Sequence, residues 1–172
     1  DGVLIEDHDH LTDPDDMIFI DGAAGAVQTA QENFFMVVVT NQSGIARGFL
    51  EEDTLLEIHH RLVGRLWDQG AIIDALFFCP HYAEGIVEAQ SIVCDCRKPK
   101  PGMLNKAAET WGLDLSTSHI VGDRVSDAEA GESVGASSIL LGAPTDGAPP
   151  SRRHANDLRE AVAQILGKNQ GP

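Results

Sequence analysis

Residues 35–40 read Phe-Met-Val-Val-Val-Thr, an apolar run with three consecutive valines and no polar residue before its last position. A strand with one face in water alternates apolar and polar residues, whereas an unbroken run belongs to a strand covered on both faces. Such strands are found in parallel sheets with helices packed on either side. This segment therefore excludes an antiparallel sheet open to solvent and asks for helices around it.

The rest of the chain supplies them. Residues 72–78, 119–122 and 137–141 are further strand candidates, and helical segments lie between. Residues 23–32 are short and Ala-rich. Residues 51–69 begin acidic and carry Leu55, Ile58, Leu62 and Leu66 at helical spacing. Pro101 suits a first helical position, and residues 103–111 continue from it until Gly112 stops them. Residues 125–134 and 156–166 complete the set. Residues 142–150 read as a Gly/Pro-rich loop and 167–172 as a frayed tail. Trp67 and Trp111 are expected in the core. Alternating strands and helices predict a single α/β domain over residues 1–172, with a mostly parallel sheet and helices on both faces.

Charge narrows the partners. Of 172 residues, 27 are acidic and 12 are Lys or Arg, a net charge of −15. Nucleic acid and anionic membranes repel such a chain, and neither is expected as a partner. No apolar run approaches the roughly 18 residues of a membrane span. There is no basic-then-apolar leader, so a cytoplasmic location is expected. The cations are unevenly placed: the first is Arg47, after nine acidic residues, and Arg97, Lys98 and Lys100 cluster with Arg124 apart. This is either a solvated acidic face with scattered bases, or cations kept beside loops that receive an anion.

In open parallel sheets, ligands sit beyond the carboxyl ends of the strands. Three polar clusters follow strands here: Thr40, Asn41, Gln42 and Ser43; Cys79 with His81; and Asp123 with Arg124. The three cysteines all lie within 18 residues, as Cys79-Pro-His81, twelve residues, then Cys94-Asp-Cys96. Paired N/S donors on two knuckles of a loop suit tetrahedral zinc better than three unrelated buried thiols, and no position is left for water. A structural zinc site on a loop over residues 79–98 is therefore expected, holding Arg97 and Lys98 in place. A hydroxyl and amide at Thr40 and Asn41, a lysine at Lys98 and a carboxylate at Asp123 could together hold a phosphoryl group and Mg²⁺. Asp127, one helical turn after Asp123, is expected to support that ligand rather than be one. His59 and His60 are expected to be a packing or surface pair.

These stretches resemble the haloacid-dehalogenase (HAD) phosphatases, which have a Rossmann-type fold, and within them the heptose-bisphosphate phosphatases. The likeness is carried by Phe-Ile-Asp-Gly at 19–22, Val-Val-Val-Thr-Asn-Gln-Ser-Gly-Ile-Ala-Arg-Gly at 37–48, Cys-Pro-His at 79–81, Cys-Asp-Cys-Arg-Lys-Pro at 94–99, Pro-Gly-Met-Leu at 101–104 and Val-Gly-Asp at 121–123. It implies a capless, Mg²⁺-dependent enzyme that removes the 7-phosphate of D-glycero-D-manno-heptose 1,7-bisphosphate through an aspartyl-phosphate. The same likeness implies Asp1 as general acid/base and, with Asp123, as Mg²⁺ ligand, and the four Cys/His residues as zinc ligands. Thr40, Asn41, Gln42, Ser43, Arg97, Lys98 and Arg124 become phosphate- or substrate-binding, as does the segment Asp7, His8, Asp9 and His10, which departs from the family's pattern. A small phosphorylated sugar is the implied substrate, and a monomer is expected. Asp1 corresponds to the second Asp of an Asp-x-Asp-Gly motif, so the nucleophile and the strand carrying it are expected upstream. Two other readings stay open: a histidinol-phosphate phosphatase, which shares the zinc loop, and a zinc-stabilised binding domain without catalysis. The Ser-Gly-Ile-Ala-Arg-Gly run favours the heptose enzymes.

Overall fold

The structure, a computed structural model, describes residues 1–7, 10–142 and 152–167. His8, Asp9, most of the expected Gly/Pro loop (143–150) and the end of the expected tail (168–172) lie outside the described residues. Strands and helices alternate: α1 (Ala23–Gln31), β1 (Val37–Asn41), α2 (Glu52–Trp67), β2 (Ala75–Cys79), α3 (Gly102–Trp111), β3 (His119–Gly122), α4 (Val125–Glu132), β4 (Ser137–Leu141), β5 (Arg153–Ala155) and α5 (Leu158–Ile165).

All named strand pairs are parallel. β1 pairs with β2 in the register Val37↔Ala75 to Asn41↔Cys79. β3, β4 and β5 form a second ladder, with Ile120 opposite Ser138 and Val121 opposite Ile139. Side-chain alternation then sorts the helices. Ile120 and Ser138 point at Gly131 of α4, where an added Cβ would overlap them. Val121 and Ile139 point the other way, into a cluster with Ala161 and Ile165 of α5. Helices thus cover both faces of this ladder. On β2, Leu76 joins Ile58, Leu62 and Leu66 of α2 in the largest apolar cluster, and the Phe78 ring meets His59 of the same helix at 5.5 Å.

β1 and β3 share no ladder. Between them lies a cavity of about 550 Å³ lined by Val37, Val38, Val39, Ile120 and Val121. Native cores hold few voids larger than a water molecule, so this apolar slot between two parallel strand edges stands out. At its carboxyl end the lining turns polar, with Asp1, Thr40, Gln42, Lys98, Asp123 and Asp127.

Three sequence expectations are corrected. Trp67 and Trp111 are 65% and 51% exposed, not core. Trp67 is one residue past Leu66, about 100° off the buried stripe of α2. Trp111 ends α3 beyond the sheet, and its ring lies against Phe35 at 5.2 Å. Pro101 precedes α3 as its N-cap instead of opening it. Gly112 does end α3, in the left-handed conformation at φ +67°. β5 was not anticipated, because Arg-His-Ala carries no apolar signal and becomes a strand only by pairing with β4.

His59 is buried on α2, its Nδ1 without a hydrogen-bond partner, and burial above all lowers its pKa to about 4. Above about pH 6.5, folded and unfolded chains both hold it neutral. As the pH falls from there towards 4, the unfolded chain takes up a proton that the fold refuses, and stability is lost. By pH 5 the loss is on the order of 2 kcal/mol. His59→Leu is therefore expected to raise the melting temperature at pH 5 by several degrees more than at pH 8, which melts at the two pH values would read directly.

Candidate active site

Asn41 ends β1 and points across to the main chain of Lys98. Its Oδ1 accepts the Lys98 N–H at 3.0 Å and its Nδ2 donates to the Lys98 carbonyl at 3.1 Å. This reciprocal pair fixes the lysine backbone. The Lys98 ammonium donates to the Val39 carbonyl at 2.8 Å and lies 2.6 Å from Asp127 Oδ1. Two of its three donors are thereby engaged, leaving one for an anion. Beside it, Gln42 Nε2 donates to Thr40 Oγ1 at 3.0 Å, so the Thr40 hydroxyl keeps its own hydrogen to give. The Gln42 N–H bonds the Cys79 carbonyl at 2.8 Å, joining the loop after β1 to the one after β2.

Asp127 is the hub behind Lys98. Its other oxygen accepts the Arg124 N–H at 3.0 Å, capping α4. Gly122 is required alongside, since any Cβ there would overlap the Asp127 side chain. Asp123 follows, half-buried, and burial above all, helped by the Asp127 charge, pushes its carboxyl above the usual range, against a hydrogen bond from its own main chain and the Arg124 charge. A carboxylate in that position gains from a cation. Gly2 sits against it in a left-handed conformation (φ +70°), and a Cβ there would overlap the Asp123 carboxylate. Asp1 and Asp123 thus meet at the polar end of the slot. A carboxylate there, completed by water and phosphate oxygens, suits Mg²⁺, which binds through few protein ligands.

The remaining sequence candidates are more dispersed. Arg124 donates to Asp7 at 2.7 Å and lies 3.7 Å from Asp123, so carboxylates already engage it. The His10 ring meets Phe49 at 4.7 Å. The Ser43 carbonyl accepts the Arg47 N–H at 3.0 Å. Arg97 donates to the His81 carbonyl at 3.2 Å.

Cys79, His81, Cys94 and Cys96 converge. Their donor atoms lie within 4.8 Å of one another, and they form the only group of three or more such donors among the described residues. Sulfur separations of 3.0 Å (Cys79–Cys96), 3.2 Å (Cys94–Cys96) and 3.5 Å (Cys79–Cys94), with His81 Nδ1 3.2 Å from Cys96, outline the corners of one tetrahedron. A Zn–S bond of ~2.3 Å implies edges only slightly longer. Burial, then the neighbouring thiols, push the Cys96 pKa upward, and burial raises that of Cys79. Packed thiols of this kind lose their protons most readily to a metal.

Comparison with known proteins agrees with this geometry. A family model described as HAD-hydrolase-like matches residues 95–161. The chain is 38% identical over 169 residues to the D-glycero-beta-D-manno-heptose-1,7-bisphosphate 7-phosphatase of Pasteurella multocida, covering 96% of this chain and 90% of that one. The enzyme of that name from Rhodopseudomonas palustris is 37% identical, covering 96% and 86%. The crystal structure of a D,D-heptose 1,7-bisphosphate phosphatase from B. bronchiseptica, complexed with magnesium and phosphate, superposes with a TM-score of 0.85 at 31% identity, over 98% of this chain and 96% of that one.

The chain belongs to the HAD-like phosphatases. As a member of that family it is a phosphoric monoester hydrolase. Asp127, already expected to support Asp123, also holds the lysine of this phosphatase. Its spacing one turn into α4 was the signal. Arg47 entered the sequence analysis only as a cation and as part of the 37–48 run; its contact with the Tyr82 ring is visible only in the fold.

One zinc per chain is expected in this phosphatase as purified, measured by elemental analysis. Cys94→Ala/Cys96→Ala is expected to lose it, together with protection of residues 79–98 from proteolysis. Unchanged zinc content in that variant would remove the assignment.

Proposed function

We propose that this phosphatase removes the 7-phosphate of D-glycero-β-D-manno-heptose 1,7-bisphosphate. The observation that carries the reading is the meeting of Asp1, Thr40, Lys98 and Asp123 at the polar end of one slot, beside a loop that brings Arg97 forward. It is supported by relatives of that name along nearly the whole chain. The same reading places the enzyme in the cytoplasm as a monomer with an open, capless site. Among the described residues no helix is long and apolar enough to cross a membrane.

In this mechanism the free Lys98 donor and the Thr40 hydroxyl hold two oxygens of the transferring phosphoryl group and offset its charge. Asp123 and the Asp1 carbonyl would hold Mg²⁺, which when bound withdraws charge from the phosphoryl oxygens. The Asp1 side chain protonates the departing sugar oxygen and later takes a proton from the water that hydrolyses the acyl phosphate. The same reading gives the nucleophile's part to the first Asp of the Asp-x-Asp-Gly motif in which Asp1 corresponds to the second. Cys79, His81, Cys94 and Cys96 would hold a structural zinc, which would fix the loop that leads into Arg97 and Lys98, the latter bonded to Asn41.

Two measurements test this. Asp123→Asn is expected to lower Mg²⁺-dependent phosphate release by at least 10²-fold, the scale of several kcal/mol of charge stabilisation, while leaving the melting temperature near that of the parent. The enzyme is expected to turn over heptose bisphosphate in preference to histidinol phosphate. A preference for histidinol phosphate would overturn the reading.

A further inference from the structure

Cys79, Cys94 and Cys96 are all the cysteines of the chain, and all three belong to the Cys/His group. Cys79 is buried at the end of β2, whereas Cys94 and Cys96 are partly exposed. Each sulfur has another within 3.5 Å. A thiolate open to solvent is the form of cysteine that a peroxide attacks, and a second thiol within reach turns the first oxidation product into a disulfide. The group therefore holds both parts of a reversible oxidation, a reachable sulfur and one that resolves it.

The loop that carries these donors has little else beneath it. Ile86 and Val93 are 81% and 79% exposed and Ile92 is exposed as well, so the loop's apolar residues build no core of their own. Besides the Cys/His group, residues 92–96 are tied to the body by the Gly102 N–H, which donates to the Asp95 carbonyl at 2.9 Å, and by an exposed ion pair between Asp95 and Lys100. The next two residues differ in their anchors. Lys98 is fixed from outside the loop, by Asn41, Val39 and Asp127. Arg97 is fixed from within it, by the His81 carbonyl at 3.2 Å and the Tyr82 ring at 5.2 Å. Releasing the loop thus displaces Arg97 and spares Lys98.

Resting on the structural zinc and the Arg97 substrate contact of the reading above, we propose that the Cys/His group is a peroxide-sensitive switch on substrate binding. The sulfur of Cys94 or Cys96 attacks a peroxide oxygen, the O–O bond breaks, and a sulfenic acid and hydroxide form. A neighbouring thiolate then attacks that sulfur, the S–S bond forms and a second hydroxide leaves. Two thiolates, one peroxide and two protons become one disulfide and two waters. One cysteine and His81 are left as donors, too few for a tetrahedral site, and the zinc departs. A thiol reductant with zinc reverses the change.

The test treats the zinc-loaded, active enzyme with hydrogen peroxide and removes the excess with catalase. One zinc per chain is expected on a chromogenic chelator as two of the three thiols disappear, and protease cleavage within 79–98 is expected to rise. KM for heptose bisphosphate is expected to rise about 10-fold or more, the scale of one charge-assisted contact, with kcat within about threefold. Dithiothreitol with zinc is expected to restore thiols, metal and KM, which it would not do for oxidised methionine. Zinc and thiols that survive the peroxide, a zinc loss that the reductant does not reverse, or a fall in kcat at unchanged KM would overturn the proposal. An untreated Arg97→Gln variant with the parent's KM would overturn the Arg97 contact, and the effect on binding with it. Enzyme without zinc before peroxide is added would overturn the structural-zinc reading itself.

Discussion

Lys98 and Asp127 form a charged pair with side chains only 13% and 8% exposed, 2.6 Å apart. Each charge needs its partner and further hydrogen bonds to offset its lost hydration. They have them: Val39 and Asn41 of β1 hold the lysine, and the N–H of Arg124, the N-cap of α4, donates to the aspartate. The pair therefore spans the gap between two ladders that share no backbone bonds. Removing one partner of such a pair typically costs about 3–5 kcal/mol, because the other is left buried and uncompensated. The position of the lysine is a consequence of this single contact.

The zinc loop extends the same logic outward. Lys98 is two residues past Cys96, so a metal that fixes the cysteines also fixes where the lysine leaves the loop. Hydrogen bonds from Gln42 to Cys79, and from Ile86 and Val87 to Ala46, tie this loop to the one after β1. Two segments without regular structure thereby become a rigid wall. Rigidity matters because the protein as a whole carries −15 and its distant field repels a phosphorylated sugar. Attraction has to come from a few cations at short range, where geometry outweighs net charge.

Much of this was readable beforehand. The valine run, the strand-helix alternation and the stripe on α2 reflect burial, a local property that leaves a periodic trace in the chain. The convergence of the four Cys/His donors was legible because it depends on residue type and spacing within one loop. The tryptophans were misplaced because residue type alone does not say which side of a helix, or which end, meets the sheet. β5 was missed because three residues with one buried side chain have no pattern of their own.

The amino-acid sequence alone determined that the protein is a parallel α/β domain with a Cys/His loop and a set of polar strand ends. Both follow from side-chain hydrophobicity and donor chemistry, which act over a few residues. Only the tertiary structure decided which of those polar groups work together. Asn41 meets Lys98 across 57 positions, and Arg47 and Arg97 meet on Tyr82. Their distances depend on how two ladders and two loops pack, and packing is a property of the whole chain that no local pattern encodes.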